Sequence, residues 1–278
     1  MIPEEIKKIL NIHVKKGVWQ LKDSPSGKSK TSYIGIHNDQ KVFIKLESAN
    51  DALKRLATIG ITPTILYVNQ QIIVQEFVEG SHPTIDWITN NYKEFANIIK
   101  KYHSDDTLKT ILKKNKPSSY ERILESFLRE VKSWKQQVDN FVKNKEAIQH
   151  LEKLISGKPT NIIDPSVPIH ADPNISNFIL HKTKIFVVDW DDIKLSDPMR
   201  DIGQFLWNYV PQDKWEAFFN EYGLELTNER KYRLFWWISI MKLFVGFWFY
   251  IYQKETVTYK KYLEESIMIA DKYLWVNN

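Results

Sequence analysis

Residues 170–177 read His170-Ala171-Asp172-Pro173-Asn174-Ile175-Ser176-Asn177, and a further aspartate, Asp189, follows Asp172 by seventeen residues at the end of a short apolar stretch. Moving a phosphoryl group from ATP needs these residue types in this order. One carboxylate meets the acceptor hydroxyl, while an amide oxygen and a second carboxylate hold magnesium on the phosphates. Asp172 would orient the hydroxyl and take its proton late in the reaction. Asn177 and Asp189 would be the metal ligands, since both offer the hard oxygen that Mg2+ prefers in near-octahedral geometry. His170 joins Asp172 as a catalytic-loop candidate, as a hydrogen-bonding support rather than as the base, because Asp172 already fills that role. Each residue alone is at home in an ordinary turn, where Asp, Asn and Pro abound; the combined spacing is what points to chemistry.

The metal candidates need an element that brings them together. Asn177-Phe178-Ile179-Leu180 and Ile185-Phe186-Val187-Val188 read as two short strands, with His181-Lys182-Thr183-Lys184 as a tight turn between them. Asn177 and Asp189 then lie at the open end of one hairpin. Upstream, a cation must meet the phosphates. In Lys41-Val42-Phe43-Ile44-Lys45-Leu46, Val42 and Ile44 alternate on one face of a strand and Lys45 lies on the other. A preceding strand runs to Ile36, with His37-Asn38-Asp39-Gln40 as the turn. Lys45 is the candidate phosphate-binding lysine. The polar stretch 23–31 between two strands holds Ser26 and Gly27, whose backbone N–H groups would cover phosphates, although a plain solvated turn accounts for it equally. A Walker A reading of Gly27-Lys28-Ser29 fails, because Lys22 stands where glycine is required and a strand, not a helix, follows. The run Gln71 to Gly80 reads as a buried strand breaking at a glycine. Backbone groups near Glu76 and Val78 would bond the adenine edge, with Gln75 at the back of the pocket. The helix expected from Ala49 to Ile59 lacks a central acid to pair with Lys45; Asp51 and Glu47 are the nearest options.

These motifs together resemble the aminoglycoside phosphotransferase and choline kinase superfamily. The resemblance rests on His170-Ala171-Asp172 to Asn177, Val188-Asp189-Trp190-Asp191, Ser196-Asp197-Pro198, Asp201-Ile202-Gly203 and Gln75-Glu76-Phe77-Val78-Glu79-Gly80. Ala171 stands where protein kinases carry arginine, which matches the small-molecule branch. The run after Asp189 lacks Phe-Gly, and no Ala-Pro-Glu follows. The resemblance implies an α+β, two-lobed protein-kinase-like fold with a small antiparallel-sheet lobe and a larger, mainly helical lobe. It implies ATP, with GTP open, and Mg2+. It also implies that Asp201 helps fix the catalytic loop from a following helix.

The nucleotide lobe is expected over 1–80, with the hinge at about 75–80, and the helical lobe over 81–278. Helices are expected at Tyr92 to His103, Tyr120 to Val142, and about 200–210, 212–222, 228–253 and 256–274. Within the helix at 228–253, nineteen residues from Leu234 to Tyr252 carry one charge, Lys242. The run is long enough to span a bilayer, but a central lysine opposes insertion, so a core helix is expected. At 278 residues, 43% hydrophobic and 26% charged, the chain has an ordinary globular composition. It has no cysteine, which excludes disulfides and thiolate chemistry. With no apolar signal core at the N-terminus, a cytoplasmic enzyme is expected. The net charge of +5 comes from scattered lysines, so nucleic acid is not the expected partner. A small-molecule acceptor is expected, an aminoglycoside first and a choline-type metabolite second; a non-catalytic ATP-binding module is a third reading. Asp191 and Asp192 are the substrate candidates, with aromatic residues of the later helices as packing or acceptor surface. Oligomeric state is left open.

Overall fold

A computed structural model describes residues 2–24, 32–46, 51–115, 125, 128–137, 145–160, 164 and 166–275. In chain order the elements are α1 (Pro3–His13), β1 (Gln20–Asp23), β2 (Ser32–His37), β3 (Gln40–Lys45), α2 (Asp51–Thr58), β4 (Ile65–Val68), β5 (Ile73–Glu76), α3 (Ile85–Asn90), α4 (Tyr92–His103), α5 (Asp106–Asn115), α6 (Lys145–Ser156), β6 (Val167–Ile169), β7 (Phe178–His181), β8 (Lys184–Val187), β9 (Lys194–Ser196), α7 (Pro198–Tyr209), α8 (Trp215–Tyr222), α9 (Asn228–Trp248) and α10 (Thr256–Tyr273). Residues 128–137 are helical; the rest of the helix expected between Tyr120 and Val142 lies largely outside the described residues. The chain forms two compact units, residues 1–84 with 174–191, and 85–173 with 192–278.

The first unit is built on a five-stranded antiparallel sheet in the order β1-β2-β3-β5-β4. Val42 and Ile44 point into its core as the alternation predicts, joined by Ile72 and Val74. Helix α1 begins with Pro3, whose fixed φ suits a first turn, and with Glu4 and Glu5 facing the helix dipole. Its Ile6 and Leu10, one turn apart, close the core with Trp19. The same unit contains the β7–β8 hairpin, paired Phe178↔Val187 through His181↔Lys184. Its two-residue turn is made by Lys182 at φ 56, a conformation that two-residue hairpin turns commonly demand.

In the second unit α9 is the central helix. Leu234, Trp236, Trp237, Ile240, Leu243 and Phe247 are all buried, so its apolar run is core. It is the one helix among the described residues long and apolar enough to cross a membrane, and most of that stretch is buried in protein. Lys242 is accommodated by Glu265 at 3.0 Å and Asn208 at 2.8 Å. Burial lowers its pKa, with Glu265 opposing. Helix α7 crosses α9 closely at Gly203, where a Cβ would stand 3.0 Å from Ile238 Cγ1. The crossing is locked by ions. Asp197 caps α7 by accepting from Met199 N–H, and also accepts from Arg233 and from Trp237 Nε1. Arg233 extends the network to Asp164 and Glu229.

Candidate active site

The second unit positions the candidate catalytic loop. Strand β6 pairs with β9 and ends at Ile169, so His170 to Asp172 leave the sheet edge directly. Ala171 is then forced to φ 73, the left-handed region that disfavours any residue with a Cβ. What holds it there is Asp201 of α7. This carboxylate accepts from His170 N–H at 2.7 Å, Ala171 N–H at 2.9 Å, the Tyr102 hydroxyl at 3.0 Å and His103 Nε2 at 3.4 Å. Asp201 is fully buried. Burial alone would raise its pKa, but the hydrogen bond and charge of His103 and the His170 N–H hold it below the usual carboxylate range. Burial, and then the Asp201 charge, push the Tyr102 hydroxyl well above its ordinary pKa. The His103 ring is braced from its other side by the Tyr222 hydroxyl at 2.8 Å. The His170 ring is buried, and its Nδ1 accepts from Asp172 N–H at 3.3 Å. Asp172 itself is exposed.

The first unit positions the metal and phosphate candidates. Asn174 opens a single 3₁₀ turn over Ile175–Asn177 by accepting from Ser176 N–H at 3.1 Å. Asn177, buried, follows as the residue that enters β7. Val188 N–H donates to Asn177 C=O at 2.9 Å, which extends the hairpin ladder by one pair and sets Asn177 opposite the residue before Asp189. Asp189 has φ 63, and the chain turns there. Trp190 is buried, with Nε1 donating to Val187 C=O at 2.9 Å, so that Asp189 and Asp191 flank an anchored ring and face solvent. Lys45 Nζ, on β3, forms an ion pair with Asp191. Asp51, weighed above as its partner, sits in the first turn of α2 and binds Lys54 at 3.1 Å. Glu47, and the phosphate-loop candidates Ser26 and Gly27, lie outside the described residues. The hairpin flanking that loop is in place, β1 on β2, with Ser24 N–H to Ser32 C=O at 3.1 Å.

At the expected hinge, Gln75 is buried and donates to Pro63 C=O at 3.0 Å, so its amide braces the chain entering β4. Glu76 N–H donates to Thr64 C=O at 2.9 Å, which leaves Glu76 its carbonyl to offer a ligand. Val78 N–H has no partner among the described residues. Asp192, in the second unit, is exposed and lies 4.0 Å from Lys194.

Among the aromatic residues of the later helices, Trp215, Trp236, Trp237 and Phe247 are buried in the core. A different group is only partly covered. Trp134, on the helical run 128–137, stacks on Phe244 at 4.1 Å and meets Tyr252 edge-on at 5.8 Å. Trp248 lies 6.1 Å from Tyr252, where α9 passes into a π-helical turn at Phe249–Gln253. Trp134 lacked any motif to single it out. Glu130, one turn before it, is close enough for its charge to act on Lys194 and on Arg200, the neighbour of Asp201.

Solved structures share this fold across nearly the whole chain. The choline kinase LicA from Streptococcus pneumoniae superposes with a TM-score of 0.67 at 13% identity, covering 97% of this chain and 99% of that one. A spectinomycin phosphotransferase in complex with ADP and spectinomycin superposes with a TM-score of 0.61 at 15% identity, covering 98% of each. The likeness confirms the protein-kinase-like α+β fold. In sequence, a LicA homologue of Mycoplasma capricolum is 28% identical over 142 residues, 51% of this chain and 53% of that protein, so the match spans about half the relative's length. The family model of the phosphotransferase enzymes matches residues 27–235, from Gly27 past Asp172 and Asp189 and into α9. The chain belongs to the phosphotransferase enzyme family.

Proposed function

We propose that this phosphotransferase moves the γ-phosphoryl group of ATP to the hydroxyl of a small cationic amino alcohol of the choline type. The observation that carries the reaction is the grip of Asp201 on the N–H groups of His170 and Ala171, which presets the backbone immediately before an exposed carboxylate, Asp172. Asp172 orients the acceptor hydroxyl and takes its proton as the phosphoryl group arrives. Lys45 neutralises phosphate charge; its pairing with Asp191 keeps the ammonium at hand. The carbonyl of Glu76 and the N–H of Val78 meet the adenine edge.

The donors near Asp189 suit magnesium. Asn177 and Asp189 supply one amide and one carboxylate, both hard oxygen donors, and the described residues hold no group of three or more His, Asp or Glu fit to cage a metal. An ion that keeps its waters and is carried largely by phosphates needs few protein ligands. Bound there, it would neutralise the charge of the transferring group.

Two observations favour the choline class of acceptor. One is the partly exposed aromatic group Trp134, Trp248 and Tyr252, which offers ring faces to a quaternary ammonium. The other is the similarity to a LicA homologue. The exposed carboxylates Asp191 and Asp192 keep an aminoglycoside as the second reading. Absence of cysteine suits work in the reducing cytoplasm, where ATP is found. The test is Mg2+-dependent ADP release from purified protein across choline, ethanolamine, other amino alcohols and a panel of aminoglycosides. Stimulation by choline or a close analogue is expected. Stimulation by aminoglycosides alone, with resistance conferred on a sensitive bacterium, would replace the choline reading. Silence across the panel would overturn both.

A further inference from the structure

We infer that the connector Glu79–His82 is a positioning device for phosphoryl transfer. It holds the hairpin that carries Asn177 and Asp189 in register with β5, where the adenine edge is met, and Gly80 is the residue that permits the approach. The inference rests on the ATP-dependent reading above.

Beyond β5 the chain does not run free. It lies against β7 as a bridge, with Ser81 N–H donating to Leu180 C=O at 3.2 Å and Leu180 N–H donating to Ser81 C=O at 2.8 Å. Two histidines stitch its ends. His82 Nδ1 bonds Phe178 C=O at 3.0 Å, and His181 Nδ1 bonds Glu79 C=O. A carbonyl only accepts, so both rings carry the proton on Nδ1. Phe178 directly follows Asn177, so the His82 bond acts one residue from a metal candidate. The hairpin's other edge is also held, by Val187 N–H to Ile61 C=O at 2.8 Å, two residues before Asp189. Both edges of the hairpin that carries the metal candidates are thus held by hydrogen bonds, main-chain ones at Ser81 and Ile61 and side-chain ones from His82 and His181. The reach from adenine to the metal-bound phosphates is bounded by the length of ATP, so the span from β5 to the hairpin's open end must stay within it.

Glycine is required at the crossing. A Cβ on Gly80 would stand 2.4 Å from Leu180 O and 2.8 Å from Ile179 Cγ2, one of them backbone. Relief needs a shift of about 1 Å of the connector from the hairpin, and displacements of that size cost roughly 100-fold in rate.

The test compares wild type with Gly80→Ala, His82→Ala and His82→Asn. ATP affinity is measured in EDTA and in Mg2+, with turnover and amide hydrogen exchange of nucleotide-free protein read alongside. For Gly80→Ala, affinity in EDTA should stay within about twofold, the gain from Mg2+ should fall about tenfold, and kcat should fall roughly 100-fold. For His82→Ala, which keeps the crossing but loses one stitch, the Leu180 amide should exchange faster and kcat should fall about fivefold. His82→Asn, whose amide N–H replaces Nδ1–H, should recover most of both. Equal loss of affinity with and without Mg2+, wild-type values in Gly80→Ala or His82→Ala, or no recovery in His82→Asn would overturn the inference alone. Wild-type protein that gains no ATP affinity from Mg2+ would overturn the ATP-dependent reading and this inference with it.

Discussion

Replacing Asp201 by asparagine alters one oxygen and one charge at the centre of the catalytic-loop clamp. The carboxylate serves four donors: Oδ2 meets His170 N–H, the Tyr102 hydroxyl and His103 Nε2, and Oδ1 meets Ala171 N–H. If the amide oxygen of asparagine takes the three-donor side, its NH2 faces Ala171 N–H, donor against donor. A hydrogen bond to a charged acceptor is worth about 1.5–3 kcal/mol, and the buried N–H it abandons costs about 1–3 kcal/mol. These overlap, and a loss of about 3 kcal/mol is expected. For a chain of this size that is roughly 6–12 °C in melting temperature. The second effect is on rate. Ala171 at φ 73 holds an unfavourable conformation worth about 1–2 kcal/mol, and without its N–H anchor the backbone relaxes, moving the next residue, Asp172. A displacement near 1 Å corresponds to about 100-fold in kcat. Thermal melting followed by Mg2+-dependent ADP release with the identified acceptor checks both. A D201N protein melting within about 1 °C of wild type and turning over at the wild-type rate would refute the clamp.

Other outcomes follow from the same structure. His150 is buried against the Ser266 hydroxyl at 2.8 Å, and burial lowers its pKa to about 4. Below pH 6.5 the unfolded chain takes this proton before the folded one does. Stability is therefore full above pH 6.5 and falls as pH drops toward 4, by up to about 3 kcal/mol. Urea denaturation from pH 4 to 7 should show that slope, and His150→Gln should flatten it; an unchanged slope would remove His150 as its source. Arg233→Met strands the fully buried Asp197 without its cation, while Asp164 keeps its pair with Arg230. It should cost about 3–5 kcal/mol, and a loss under 1 kcal/mol in the same assay would show that the network contributes little. Trp134→Ala should raise KM for a quaternary ammonium acceptor about tenfold and leave KM for ATP unchanged; equal effects on both would place Trp134 outside the acceptor surface.

Much of this architecture was legible because the residues concerned act locally. The turn at Lys182–Thr183 and the alternation of Val42 and Ile44 are short-range signals, and the hairpins appear where those signals put them. Helix α4 matches its expected span, Tyr92–His103, because an amphipathic face is written into consecutive turns. Helix α1 carries a start signal of its own, Pro3 and two glutamates ahead of Ile6 and Leu10. The remainder is set by distance. Lys45 and Asp191 are 146 residues apart, and the Ser81–Leu180 bridge joins segments separated in the chain by the first stretch of the second unit, residues 85–173. Asp197 caps α7, but nothing local shows that Arg233 and Trp237 reach it from another helix. The aromatic residues divide the same way: composition marks them all, and only packing separates buried Trp236 and Trp237 from the partly exposed Trp134 and Trp248.

In the proposed reaction Asp172 acts on the acceptor while Asp189 acts on the metal-bound nucleotide. Single-turnover phosphoryl transfer from ATP to the acceptor, measured together with Mg2+-ATP affinity, separates the two in Asp172→Ala and Asp189→Ala. Asp172→Ala should bind Mg2+-ATP within about threefold of wild type yet transfer at least about 100-fold more slowly, while Asp189→Ala should lose both transfer and the Mg2+-dependent part of binding. Near-normal transfer by Asp172→Ala would contradict the proposed reaction.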